Sequence, residues 1–171
     1  MEGDLVSDHY YSRKPQTESK PRQWDFTLLG HKFRFETDTG VFSKSEVDFG
    51  SRVLIDAFEA PDLEGPILDI GCGYGPIGLS IAKANERRTV HLVDVNTRAI
   101  QLAEKNAAAN GIQNVRIYES DGLSAVDTAN SAAIITNPPI RAGKETIFRY
   151  YNEYYEKLKI EEAKLIENIN Q

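Results

Sequence analysis

The feature that most constrains the fold is an alternation of short apolar runs with helical segments between residues 66 and 136. Buried strands are predicted at residues 66–70, 90–94, 115–118 and 132–136. Helices are predicted at residues 76–84 and 97–110, and Gly111 marks the end of the second. Strands that alternate with helices form parallel sheets through right-handed crossovers. The pattern therefore predicts an α/β fold with a doubly wound, mostly parallel sheet.

The first predicted strand runs into a glycine-rich turn at residues 71–76, with the sequence Gly-Cys-Gly-Tyr-Gly-Pro. Glycines at alternate positions allow positive φ and close approach of a ligand to the backbone. Pro76 suits the first turn of a helix, so a helix N-terminus would face that ligand. Residues 73–78 also match G-x-G-x-x-G, a pattern that is weak evidence for a dinucleotide when it stands alone. The turn predicts a nucleotide site at the first strand–helix connection of the sheet.

Two acids follow later strands of the predicted sheet. Asp94 ends the second strand, where it can accept hydrogen bonds from both ribose hydroxyls, and Asp121 follows the third, where it can meet an adenine amino group. Each can instead be a helix cap or a turn aspartate. We interpret Cys72 as a packed residue because no histidine lies near it in the sequence. The three histidines show no metal-ligand spacing, so no metal site is predicted.

Residues 137–140, Asn-Pro-Pro-Ile, follow the fourth predicted strand. Two consecutive prolines cannot continue a sheet, because neither has an N–H and each fixes its own φ. Asn137 is therefore held on a stiff turn at the carboxyl end of a strand, where open α/β sheets bind ligands. Its side-chain oxygen and the Pro138 carbonyl would offer two acceptors to an NH2 group. Such a turn can also simply end a strand.

The segments that flank the alternation are less regular. Residues 1–23 are polar and predict an irregular arm, and the chain length predicts one domain over residues 24–171. Further elements are predicted as hairpin strands at 26–29 and 33–37 around a turn at 30–32, a helix over 47–58 capped by Ser45, and a helix over 144–158. Good helix formers dominate residues 158–168, so a helix is favoured there over a short strand at 163–166.

Composition excludes several classes of protein. No apolar run approaches the roughly 20 residues that span a bilayer, and the first residues do not form a secretory signal. One cysteine rules out an internal disulfide and fits a reducing cytoplasm. The formal net charge of −6 argues against non-specific coating of nucleic acid but leaves room for a local basic patch. Two stretches could supply such a patch, one with Arg13, Lys14, Lys20 and Arg22 and the other with Arg141, Lys144 and Arg149. These residues can instead be ordinary solvated surface charges, which is the favoured interpretation of the first stretch.

The glycine turn, the two acids and the Asn-Pro-Pro-Ile turn together resemble class I S-adenosylmethionine-dependent methyltransferases. Residues 40–44, 47–51 and 137–144 look more narrowly like the family of small-subunit (16S) ribosomal RNA guanine-N2 methyltransferases, in its compact single-domain form. The resemblance implies a Rossmann-like sheet, S-adenosylmethionine as cofactor with S-adenosylhomocysteine as product, and ribosomal RNA or the small ribosomal subunit as partner. The Asn-Pro-Pro element alone is shared with adenine-N6, cytosine-N4 and protein glutamine methyltransferases.

The resemblance also assigns roles to residues. The catalytic residues would be Asn137, Pro138 and Pro139, which orient the target amine. The cofactor would be bound by Asp69, Gly71, Cys72, Gly73, Gly75, Asp94, Val95, Asp121, Gly122 and Asn137. The substrate would be bound by Phe42, Lys44, Ile140, Arg141 and Lys144. Catalysis would then consist of positioning and of stabilising a developing positive charge, without a general base or a metal.

The C-terminal end departs from the family pattern. The family normally continues with a glycine-containing turn and three more strands, whereas Glu161 and Glu162 stand where that turn would be and the sequence ends at Gln171. The last strands of the sheet are therefore expected to be missing. The exposed edge that this leaves could pair with a second copy to form a homodimer.

Three other functions remain open on the sequence. An NAD-type oxidoreductase would use the G-x-G-x-x-G match but leaves the Asn-Pro-Pro turn without a task. A shortened, non-catalytic module would bind the cofactor or the ribosome without turnover. A methyltransferase of adenine N6 or of protein glutamine would keep the same turn and change the substrate.

Overall fold

The computed structural model describes residues 14–41, 45–127, 130–137, 144, 145, 149 and 152, and the backbone of 164–167. The strands are β1 (Arg22–Leu28), β2 (His31–Thr37), β3 (Ile67–Ile70), β4 (Val90–Asp94), β5 (Val115–Glu119), β6 (Ala133–Thr136) and β7 (Lys164–Glu167). Three helices have defined bounds, α1 (Phe49–Ala57), α2 (Pro76–Ala84) and α3 (Thr97–Ala109). Residues 144, 145, 149 and 152 are also helical, and the rest of the helix predicted at 144–158 lies outside the described residues. Among the helices described, none has the length and apolar character needed to cross a bilayer.

Five strands form one parallel sheet in the order β5-β4-β3-β6-β7. The chain moves outward from β3 through β4 to β5 and then returns to the other side of β3, so β3 and β6 flank a topological switch point. Ile70 pairs with both Val93 and Thr136, which brings the carboxyl ends of three strands to the same edge. These observations confirm the predicted α/β fold with a mostly parallel sheet.

The helix favoured for residues 158–168 is wrong, because Lys164–Glu167 forms strand β7. This strand runs parallel to β6, with Ala133 opposite Lys164. Local propensity favours a helix here, but the backbone N–H and C=O groups along β6 need partners, and strand pairing supplies them. The outer strands of the described sheet are therefore β5 and β7. Association of two copies through a sheet edge stays a prediction.

The predicted N-terminal hairpin is confirmed, although its turn is tighter than predicted. Leu29 and Gly30 form the turn with φ of 50° and 76°, and His31 already pairs with Leu28 in the ladder. Positive φ at both central residues is the geometry that joins twisted antiparallel strands with two residues. The turn predicted at 30–32 instead occupies residues 29 and 30, and β1 begins at Arg22, inside the predicted arm.

One side chain of α3 fastens the hairpin to the glycine turn. The Asn106 amide nitrogen donates to the main-chain oxygens of Glu36 and Tyr74 at 3.0 and 2.8 Å, and its oxygen accepts from the Glu36 N–H at 2.7 Å. The Tyr74 ring contacts Trp24 and Phe35, with centroids 5.7 and 5.5 Å apart. The hairpin, α3 and the glycine turn are therefore held as one packed unit.

Helix α1 begins later than predicted. Asp48 is its N-cap and accepts from the Ser51 N–H at 3.0 Å, so the predicted cap at Ser45 is wrong. Both residue types are good caps, and the choice is decided by which one can reach the N–H three residues ahead while the helix buries its apolar face. Leu54 and Ile55 provide that face and lie in the core.

Residues 14–21 of the predicted arm have no helix or strand but are fastened to the end of the hairpin. Asp38 accepts from the Ser19 hydroxyl and the Lys20 N–H, both at 2.6 Å, and the Arg98 guanidinium lies 3.9 Å from the same carboxylate. Burial raises the pKa of Asp38, but these hydrogen bonds and Arg98 lower the pKa overall. The segment is therefore docked on the domain, and residues 1–13 lie outside the described residues.

Candidate active site

The register of the sheet brings the two predicted halves of the site together. Because Ile70 pairs with Thr136, Asn137 and Gly71 lie side by side, each one residue beyond its strand. The Thr136 hydroxyl donates to the Ile70 carbonyl at 3.3 Å and ties the two strand ends. Paired strands are about 4.8 Å apart. The predicted amine-binding residue thus adjoins the predicted nucleotide turn at the switch point of the sheet.

The glycine turn presents bare backbone to open space. Gly71, Gly73 and Gly75 have φ of 72°, 58° and 102°. A Cβ added to Gly71 or Gly73 would meet no atom within 4 Å, whereas one added to Gly75 would lie 2.8 Å from the Leu79 side chain. The first two glycines therefore leave room for a ligand against the backbone, and Gly75 serves the packing of α2. Cys72 is buried in the same turn, and burial raises the pKa of its thiol well above the usual value.

Asp94 organises the turn from the end of β4. One carboxylate oxygen accepts from the Gly73 N–H and the other from the Asn96 N–H, both at 2.9 Å. Burial raises the pKa of Asp94, while these N–H groups lower it to a smaller extent. A carboxylate has about four lone-pair directions, so it can hold both N–H groups and still accept from a ligand hydroxyl.

Asp69 lies directly beneath the turn and is almost completely buried. Its carboxylate accepts from the Gly78 N–H of α2 at 2.9 Å. Burial, together with the smaller effect of the Asp94 charge, raises the pKa of Asp69 to about 7, although the Gly78 hydrogen bond lowers it. Glycine is required at position 78, because an added Cβ would lie 2.5 Å from Leu92 Cγ and 2.8 Å from the Asp69 carboxylate.

The raised pKa of Asp69 predicts how stability depends on pH. Between the unfolded value of 3.8 and the folded value of about 7, the folded protein holds a proton on Asp69 that the unfolded chain has lost. This contribution to the free energy of unfolding is complete below pH 4 and disappears as the pH rises through 7. We expect Asp69→Asn to remove this decline, since the amide keeps an acceptor for Gly78. Urea denaturation of cofactor-free protein at several pH values measures the effect, and parallel profiles for the two proteins would contradict it.

Asn137 is held on its amide side by the first turn of α1. Its Nδ2 atom lies 3.4 Å from Asp48 Oδ2 and 3.3 Å from Ser51 Oγ, and the residue is half-buried. Sequence reasoning gave neither partner a role. The available signal was local, since an aspartate three residues before a serine matches an N-cap and its target N–H.

The third predicted loop lies at the same edge of the sheet. The Ser120 N–H donates to the Asp94 carbonyl at 3.0 Å, which places residues 120–122 beside the end of β4. The Asp121 carboxylate is half-exposed and lies 3.4 Å from Arg149, and Gly122 has φ of 57°. Val95 is partly exposed beside Asp94. The cofactor contacts assigned to these residues stay predictions.

The remaining predicted site residues are less fully described. Lys144 is exposed in a helical segment. Outside the described residues lie Phe42, Lys44, Pro138, Pro139, Ile140 and Arg141. Sequence reasoning also missed Asn96, which caps α3 and donates from its amide to the Gly40 carbonyl at 2.9 Å. Asn96 thereby joins the loop that begins at Gly40 to the turn after Asp94.

Comparisons with known proteins agree with this geometry. The family model "Methyltransferase small domain" matches residues 32–159. A Bacillus subtilis (strain 168) protein named "Uncharacterized protein YbxB" is 56% identical over 155 residues, which cover 90% of this chain and 77% of that protein. Ribosomal RNA small subunit methyltransferase C of Vibrio vulnificus (strain CMCP6) is 37% identical over 129 residues, which are 75% of this chain but only 36% of that relative.

A solved structure gives the same assignment. It is the T. thermophilus 16S rRNA N2 G1207 methyltransferase in complex with AdoMet and guanosine, and it matches with a TM-score of 0.72 and 26% identity. The match covers 85% of this chain and 41% of that one. The resemblance to class I methyltransferases of the ribosomal RNA guanine-N2 kind is confirmed. The chain belongs to the methyltransferase small domain family.

Proposed function

We propose that this protein transfers a methyl group from S-adenosylmethionine to the exocyclic N2 of guanine in small-subunit ribosomal RNA. The observation that carries the proposal is the position of Asn137 beside the glycine turn, at the switch point of the sheet. The similarity to a guanine-N2 methyltransferase structure that contains AdoMet and guanosine supports both the cofactor and the base.

The residues of the turn fit this cofactor. The open space above Gly71 and Gly73 admits a ligand against the backbone, and the Asp94 carboxylate lies at the same edge, where it accepts from the Gly73 N–H. S-adenosylmethionine supplies a methyl group on a positively charged sulfur. Asp94 would accept from the ribose hydroxyls, Asp69 would support the turn at the methionine end from beneath, and Asp121 would meet the adenine amino group. A carboxylate at this edge suits a ligand that carries both a sulfonium and an ammonium charge.

Asn137 would prepare the target amine. The N2 atom of guanine is a poor nucleophile because its lone pair is delocalised into the ring. The Asn137 side-chain oxygen, together with the Pro138 carbonyl, would accept hydrogen bonds from its two N–H groups and favour a more tetrahedral nitrogen whose lone pair is free to react. After methyl transfer the nitrogen would release one proton to water, and S-adenosylhomocysteine would leave. The same two acceptors stabilise the positive charge that develops on the nitrogen. In this proposal the protein contributes positioning and electrostatics.

The RNA would be bound around this pocket. A base inside a duplex cannot present its amine to such a cleft, so the target guanine must be unpaired or flipped out. Phe42 and Lys44 would close one side of the pocket and Ile140 would pack on the base. Arg141 and Lys144 would contact phosphates. A ribosomal substrate implies a reaction in the cytoplasm, in keeping with the single cysteine.

The test is methyl transfer by the purified protein from S-adenosylmethionine labelled in its methyl group. Free 16S ribosomal RNA and isolated small ribosomal subunits serve as substrates, and ribosomal protein and a guanine-free RNA serve as controls. We expect the label in N2-methylguanosine after digestion to nucleosides. Label in N6-methyladenosine or in protein would show that the methylated atom is another planar nitrogen and not guanine N2. If the protein binds the cofactor but transfers no label to any substrate, it would be a non-catalytic binding module and not an enzyme.

A further inference from the structure

The carboxamide of Asn137 has two ends, and the first turn of α1 contacts one of them. The amide nitrogen lies 3.4 Å from Asp48 Oδ2 and 3.3 Å from Ser51 Oγ. These contacts join residues that are 89 and 86 positions apart in the chain. The residue that follows β6 is therefore hydrogen-bonded to the N-terminal end of α1.

The chemistry of these partners fixes the orientation of the amide. An ionised carboxylate can only accept hydrogen bonds, whereas a carboxamide has a donor end and an acceptor end. If the Asn137 amide were rotated by half a turn, its oxygen would face the Asp48 carboxylate and both groups would be acceptors. Asp48 therefore selects the rotamer that directs the NH2 group toward α1 and the oxygen away from it.

Asp48 and Ser51, which contact the Asn137 amide, are themselves held in fixed positions. The Asp48 Oδ2 atom that contacts the Asn137 amide also accepts from the Ser51 N–H at 3.0 Å, so the carboxylate is fixed as the N-cap. Ser51 is buried, and Leu54 and Ile55 anchor the same helix in the core. A hydrogen bond to a charged acceptor also polarises the amide and makes its oxygen a stronger acceptor.

We propose that Asp48 and Ser51 are positioning residues, which hold the Asn137 carboxamide so that its oxygen faces the target amine. The inference rests on the proposed function for the identity of the amine, but the contact itself is independent of it. Neither residue touches the reacting atoms in this scheme. Their effect on the rate passes entirely through Asn137.

Two substitutions at position 48 separate this role from helix capping. Serine is as good a cap as aspartate but is too short to reach the Asn137 amide, whereas asparagine can present an oxygen at the same place. For Asp48→Ser we expect turnover to fall about 10²-fold with the KM for S-adenosylmethionine unchanged, because small misplacements of a catalytic group have costs of this size. Asp48→Asn should retain most of the activity, and Ser51→Ala should show a smaller loss than Asp48→Ser.

A double-mutant cycle tests whether the effect passes through Asn137. In an Asn137→Ala background, Asp48→Ser should cause no further loss of turnover. An Asp48→Ser protein that folds and turns over like the wild type would overturn the proposal. Equal losses for Asp48→Asn and Asp48→Ser, with Ser51→Ala at wild-type activity, would also overturn it.

A second readout does not depend on activity. The side-chain NH2 signals of Asn137 in a proton–nitrogen NMR spectrum are identified by their loss in Asn137→Ala. We expect both signals to shift in Asp48→Ser and to return toward their original positions in Asp48→Asn. Unchanged signals in Asp48→Ser would show that Asp48 does not contact the Asn137 amide in solution. Normal turnover of Asn137→Ala would instead remove the catalytic role of Asn137 and leave this structural result standing.

Discussion

Replacing Asn137 with alanine is expected to lower methyl transfer by about 10²- to 10³-fold or more, while cofactor affinity stays within a few-fold of the wild type. The substitution removes an acceptor that is needed most when the amine nitrogen becomes positive, so the loss falls on turnover and not on cofactor binding. Single-turnover methylation of ribosomal RNA measures the first quantity, and isothermal titration with S-adenosylmethionine measures the second.

The Asn137→Ala variant must be shown to fold before its turnover is interpreted. Asn137 is half-buried and its amide contacts Asp48 and Ser51, so thermal denaturation must show that the variant is as folded as the wild type. Near-normal turnover by a folded Asn137→Ala protein would refute the role assigned to this residue. A simultaneous loss of cofactor binding would show instead that Asn137 acts mainly on the cofactor side.

Asp94→Ala is expected to weaken S-adenosylmethionine binding by about 10²-fold or more. The carboxylate holds the Gly73 and Asn96 N–H groups at 2.9 Å each, so its removal frees the turn as well as deleting the acceptor for the ribose. Hydrogen bonds to charged groups are each worth about 1.5–3 kcal/mol, and losing two or more accounts for an effect of this size.

Asp121→Ala is the matched comparison for this prediction. Asp121 also follows a strand of the sheet, but its side chain is half-exposed and its ion pair with Arg149 lies in solvent. A contact between such an exposed side chain and the adenine amino group would compete with water and contribute little, so the cofactor affinity should fall only a few-fold. Titration of both variants measures the difference. An Asp94→Ala protein that is folded and binds the cofactor as tightly as Asp121→Ala would contradict the special role of Asp94.

The parts of this structure that the sequence predicts best are those decided by local pattern. Residues 76–84 and 90–94 match α2 and β4 to the residue, because apolar spacing, a proline at the helix start and a terminal aspartate all act within a few residues. The edge position of Gly71, Asp94 and Asn137 follows from the same pattern, since parallel strands put their carboxyl ends on one side.

The parts that could not be predicted depend on distant partners. Residues 164–167 have the composition of a helix and become a strand because β6 lies alongside. The hydrogen bond between Asn137 and Asp48 joins residues that are 89 positions apart, so no local spacing in the sequence reveals it. Ser45 and Asp48 are both suitable caps, and only the packing of α1 decides between them.

The anchoring of the hairpin by Asn106 bears on how the chain is made. Glu36 of the hairpin and Asn106 of α3 are 70 positions apart in the chain. The hairpin is therefore synthesised long before α3, on which it docks, leaves the ribosome. During that interval Phe33 and Phe35, which the finished protein buries completely, have no partner surface from α3. Long-range contacts of this kind slow folding and prolong exposure to aggregation. We therefore expect the first forty residues of this protein to expose apolar surface early in synthesis.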